Sequence, residues 1–141
     1  MVTFLFLLAV AEGWVKPLAA DAFNGMEMTF AAGTGIRLAI NPADADLLAH
    51  GLRNTKTETP FAASGGTIPV KFDVPEDFAA PLQFSVGIVT VQAGIAESVR
   101  GLLHITRPRI GYAMSVEIVP DGDEATIVAK FKRQGFILTV Q

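Results

Sequence analysis

The sequence predicts a mainly β fold, an antiparallel β-sandwich or a small barrel, with one or two short helices. Three observations lead there. From Leu82 onward, apolar and polar residues alternate with period two in segment after segment. Every break between those segments carries a turn signal. The strand–helix–strand alternation that builds parallel sheets is missing. An α+β arrangement is the alternative.

The first element is Val2 to Ala11, a nearly continuous apolar stretch. A membrane span needs about 20 apolar residues, and Glu12, Gly13 and Lys16 interrupt well before that. A signal peptide fits on length, and Ala9-Val10-Ala11 has the small-x-small form of a cleavage site, but no Lys or Arg precedes the run. Residues 1–11 are therefore read as a hydrophobic N-terminal strand or arm. Phe, Val and Thr favour a strand there, Leu and Ala a helix.

Met26 to Ala31 and Ile36 to Ile40 follow as two short strands, and Ala32-Gly33-Thr34-Gly35 between them is short enough for a hairpin. Asn41-Pro42 then opens the best helix. Asn41 can cap it, Pro42 lacks an N–H that the first turn does not need, and Asp44 and Asp46 place negative charge at its start. Leu47, Leu48 and Leu52 give that helix a short apolar face, which Gly51 or Asn54 would end. Arg53 to Gly66 is polar and rich in turn residues, a surface loop with room for one edge strand. Thr67 to Val74 reads as a strand with Ile68, Val70, Phe72 and Val74 inward. Pro69 cannot donate to a ladder, which assigns that strand to a sheet edge. Pro75 to Pro81 is a turn or one helical turn.

Five C-terminal segments complete the chain: Leu82 to Val91, Val99 to Thr106, Tyr112 to Val119, Ala125 to Lys132 and Phe136 to Val140. In the third, Tyr112, Met114, Val116 and Ile118 share a face opposite Ser115 and Glu117. In the fourth, Ala125, Ile127, Ala129 and Phe131 oppose Thr126, Lys130 and Lys132. Joined by short turns, all five are expected to form consecutive antiparallel strands that bury Phe131, Phe136, Val116 and Ile118.

At 141 residues the chain suits a single domain, 1–141, with no linker, repeat or low-complexity tract to divide it. Half its residues are apolar and 18% are charged, against about a quarter in typical soluble domains. Few charges are available to cover a monomer, so some apolar surface is expected to meet a partner. A net charge of −3 with no basic tail gives no electrostatic case for nucleic acid. Residues 1–97 carry five basic and ten acidic side chains and residues 98–141 six and four, a difference that random scatter explains as well as head-to-tail contact does. Cysteine is absent, which removes disulfides, thiolate metal sites and cysteine nucleophiles together.

No motif assembles a reaction. His50 and His104 are the only histidines and neither has a partner at metal-ligand spacing. Asp44-Ala45-Asp46 and Asp121-Gly122-Asp123-Glu124 offer the oxygen ligands that calcium prefers, without the spacing of a calcium loop, and read as a helix start and a hairpin tip. Gly33-Thr34-Gly35 lacks the third glycine and the Lys of a phosphate loop, and Ser64-Gly65-Gly66 lacks the flanking glycine of a nucleophile elbow. Arg107, Arg109, Lys130, Lys132 and Arg133 form the one positive grouping, either an anion-binding patch or lysines that protect a sheet edge. Ten Phe against one Trp (Trp14) and one Tyr (Tyr112) suit a core or an oligomer interface better than a sugar-stacking surface.

The expectation is a non-enzymatic structural protein without cofactor, metal or catalytic residues. Its partners would be copies of itself or other subunits of an assembly such as a viral particle, tail or surface layer. An exported or membrane-tethered β-sandwich binding module, for instance periplasmic, is the alternative, with Val2 to Ala11 as its targeting segment and the Arg53 to Gly66 loop contributing to its ligand surface.

Overall fold

The computed structural model describes residues 6–10, 14–15, 24–40, 51–74, 83–108 and 111–133. Along these residues run β1 (Phe6–Val10), β2 (Trp14–Val15), β3 (Met26–Phe30), β4 (Gly35–Ala39), β5 (Leu52–Arg53), β6 (Phe61–Ala63), β7 (Ile68–Asp73) and β8 (Gln83–Gln92). A 3-10 turn (Ala93–Ile95) and a helix α1 (Ala96–Leu102) follow, then β9 (Leu103–Ile105), β10 (Tyr112–Asp121) and β11 (Glu124–Arg133). The chain is mainly β, and the N-terminal apolar stretch is a strand over Phe6–Val10.

Among the described residues three sheets form, in the orders β1-β3-β6, β2-β4-β7-β9 and β10-β11-β8-β5. The chain visits them in rotation: β3, β4 and β5 make one circuit, β6, β7 and β8 the next. Each strand thus lies beside the one that held its place a circuit earlier, and these pairs are parallel. Among the described residues antiparallel pairing is confined to β8, β11 and β10. Here the structure departs from the antiparallel arrangement expected throughout. A parallel pair needs a long crossover, normally a helix; here each crossover contains at least one strand of another sheet, and α1 enters only the one from β7 to β9, so the usual sequence sign is absent. The circuits are also unequal, since Phe6 partners Met26 20 residues on whereas Met28 partners Phe61 33 residues on. No sequence period results.

The connection expected to form a hairpin between β3 and β4 turns a corner between sheets instead. Thr34 N–H donates to the Ala31 carbonyl at 3.1 Å, its hydroxyl donates to the same oxygen at 2.7 Å, and Gly33 takes φ +84°. One circuit on, a corner again closes by a four-residue turn, but there the donor itself, Gly66, takes the positive φ, +91°, and bonds to the Ala63 carbonyl at 3.2 Å. Both strands at such a corner alternate toward the same core, so the hairpin and the corner have one sequence pattern.

All three sheets face one core. Met28 and Phe30 enter it from the first sheet, Ile36, Leu38, Ile68 and Val70 from the second, and Leu52, Val86, Val89, Ile127 and Phe131 from the third. One end is aromatic: Phe131 stacks on Phe84 at 4.8 Å and meets Phe72 edge-on at 5.5 Å, joining the second and third sheets. Rings this large contribute about 1.5–3 kcal/mol each by burial.

Further expectations meet different outcomes. Val99 to Thr106 is not one strand, because Ala96 and Val99, three residues apart, point into the core from α1, and only Leu103–Ile105 is extended. β7 is not an edge strand, as it lies between β4 and β9. Pro69 is tolerated because Val70 directs its carbonyl at Thr106 N–H on the β9 side, so alternation turns Pro69 toward β4, one residue ahead of the first β4–β7 pair, Ile36 with Val70. The Arg53 to Gly66 stretch does hold an edge strand, β6, and Leu52, assigned to a helix face, belongs to β5. Val116 and Ile118 are only half-buried. Residues 41–50, 75–82 and 134–141, with the expected helix, proline turn and last strand, lie outside the described residues.

Candidate interaction surface

The β10–β11 hairpin builds this surface. Gly122 takes φ +62° at the first of two central turn positions, the II′ geometry that matches strand twist, and Asp121 pairs with Glu124 across the turn. In an antiparallel ladder closed by such a pair, hydrogen-bonded and non-hydrogen-bonded pairs alternate. Counting back from Asp121, the main-chain groups of Ile118, Val116 and Met114 point away from β11. Among the described residues no strand lies on that side of β10. Arg100, in the last turn of α1, reaches this edge and donates from Nη2 to the Val116 carbonyl at 3.1 Å.

Below this edge, Met114, Val116 and Ile118 form a half-buried apolar row on the core face, and Val119, on the opposite face, is the large exposed hydrophobic residue among those described. Above it, Ala113, Ser115 and Glu117 face solvent. Glu117 meets Lys130 of β11 at 2.7 Å, so the one charge in the body of β10 is matched within the hairpin. Charge is polarised along the hairpin, with Asp121 and Asp123 exposed at its tip and Lys132 and Arg133 exposed at its base.

The five cations grouped by sequence thus separate. Lys130 is committed to Glu117, Lys132 and Arg133 mark the hairpin base, Arg107 is exposed after β9, and Arg109 lies outside the described residues. Glu124 leaves the acidic tip to pair with Arg53 of β5. His104 is exposed on β9 opposite Pro69. His50, Asp44 and Asp46 lie outside the described residues. Among the described residues no group of three or more His, Cys, Asp or Glu side chains could hold a metal ion, and no helix is long and apolar enough to cross a membrane.

A second outward face deserves comparison with the hairpin. Trp14 of β2 lies across Gly35, and Lys71 of β7 stands 4.9 Å from its ring centroid. Arg37 donates through Nε and Nη2 to Asp73 at 2.9 and 2.5 Å. These charges and the indole satisfy one another across β2, β4 and β7, so the face reads as a latch between circuits. Sequence reasoning missed it, and also missed Arg100, whose partner is a main-chain carbonyl that carries no sequence signal.

No protein-family model matches the chain, and no curated protein or solved structure matches it either.

Proposed function

We propose that the protein is a non-enzymatic structural subunit that assembles with copies of itself, as in a viral particle, tail or surface layer. The observation that carries this reading is the ten-residue β10: along Met114 to Ile118 its outer edge pairs with no strand among the described residues and stands above a half-buried apolar row. A long, nearly uncharged edge strand is a template for another chain, and soluble monomers normally blunt such edges with lysine, proline or a bulge. From Tyr112 to Val119 β10 has none of these: its one charge is Glu117 and its proline, Pro120, stands next to the tip. The low charge of the whole chain supports the same reading, because association reduces the surface that few charges must keep soluble.

Sedimentation and light scattering of the intact chain across a wide concentration range test this. Discrete oligomers or a concentration-dependent mass are expected. A monomer at every concentration would overturn the assembly reading.

A further inference from the structure

We propose that two copies join through β10, antiparallel about a two-fold axis at Val116, and that Arg100 guards this edge by occupying the Val116 carbonyl. The inference rests on the assembly reading above and names its interface. Direction follows first from charge. In a parallel pair of hairpins the acidic tips would lie together and the basic bases together. In an antiparallel pair, Asp121 and Asp123 of each copy approach Lys132 and Arg133 of the other, so both ends attract.

Register follows from the ladder. An antiparallel partner must bond the groups that β10 directs outward, those of Met114, Val116 and Ile118. Centring on Val116 places Val116 opposite its own copy and Met114 opposite Ile118 twice, which makes one continuous apolar row beneath the new ladder. Glu117 then faces Ser115 of the second copy, with no like charge opposite it. The third sheet would continue from β5-β8-β11-β10 of one copy into β10-β11-β8-β5 of the other.

The centre of this register is also where Arg100 binds. Its guanidinium and the incoming Val116 N–H compete for one carbonyl. A protein-borne cation at the midpoint of this edge limits pairing in the isolated chain, as lysines do on other edge strands.

A charge-swap experiment tests the arrangement. One variant carries Asp121→Lys and Asp123→Lys, the other Lys132→Glu and Arg133→Glu. Each alone places like charges at both ends of the pair and is expected to sediment as monomer where the unmodified protein associates. Mixed in equal amounts, the two should recover a complex of two chains, since every tip then meets a base of opposite charge. Arg100→Ala should tighten self-association by about tenfold, the scale of one charge-assisted hydrogen bond removed from competition. Val116→Pro should abolish it while leaving the β10–β11 ladder intact, because the lost N–H faces outward. If the unmodified protein associates but both charge variants associate equally well, or if mixing restores nothing, the β10 interface is wrong and the assembly reading survives. If the unmodified protein never associates, both fall.

Discussion

The Asn54 side chain donates to the main-chain carbonyl of Met26 at 2.5 Å, so a buried amide ties the end of one circuit of the chain, just after β5, to its start at β3. The same amide oxygen accepts from Gly25 N–H at 2.9 Å, and the Asn54 N–H donates to the Thr90 carbonyl at 2.8 Å. Beside it, Thr55 N–H donates to the Asn24 side chain at 3.0 Å and Gln92 donates to the Thr55 carbonyl at 3.1 Å. This corner joins the third sheet to the first by polar bonds.

Asn54→Ala would orphan the Gly25 N–H and the Met26 carbonyl in a half-buried corner. Each unsatisfied group costs about 1–3 kcal/mol, and about 1–2 where it is only half-buried, so chemical denaturation should give a loss of about 2–4 kcal/mol for the pair. Thr57→Ala, whose hydroxyl bonds at the surface, should change stability by about 0.5 kcal/mol or less.

Legibility in the sequence followed how local each signal was. The β10–β11 hairpin was readable because its strands, its face alternation and its Gly122 turn all lie within one continuous stretch. The parallel sheets were not, because the partner of Met28 is Phe61, and only the closed circuit brings them together. α1 was hidden by its shortness: Ala96 and Val99 suit either a helix face or part of a strand run. For the candidate surface, the apolar row of Met114, Val116 and Ile118 was legible from period two. That no described strand lies beside it is a property of sheet order, which no residue on β10 encodes.

Phe131→Ala should be the most damaging of the hairpin substitutions. Its ring fills the aromatic end of the core against Phe84 and Phe72, and truncating a buried Phe costs about 3–5 kcal/mol. Val116→Ala, in the half-buried row, should cost about 1 kcal/mol. Equal losses in urea titrations would show that β10 is as deeply packed as β11.

Chelation should leave the protein unchanged. Asp121 and Asp123 are exposed at the hairpin tip, and Glu124 is paired with Arg53. Removing a tip carboxylate by Asp121→Ala should shift stability by about 1 kcal/mol or less, and EDTA should not move Tm. A chelator-induced fall in Tm, reversed by added calcium, would make the tip a binding site.

Two glycines with no unusual demand on φ should respond in opposite directions to alanine. At Gly51 the added Cβ would come within 2.5 Å of the Gly87 and Ile88 carbonyl oxygens. Both neighbours are main chain, and they belong to the stretch of β8 where the register with β11 slips, Ile127 facing Val89 and Val128 facing Gly87. The extra residue there, Ile88, is buried and cannot swing aside. Gly51→Ala must therefore push β5 off β8 and should cost more than about 3 kcal/mol. Gly101 lies within α1, and an added Cβ there meets nothing within 4 Å. With no clash to offset it, the smaller conformational entropy of alanine should make Gly101→Ala stabilising by about 0.5–1 kcal/mol. Thermal melts of the two variants decide the matter: a tolerated Gly51→Ala would mean that the close approach of β5 to the β8 bulge is not required for the fold.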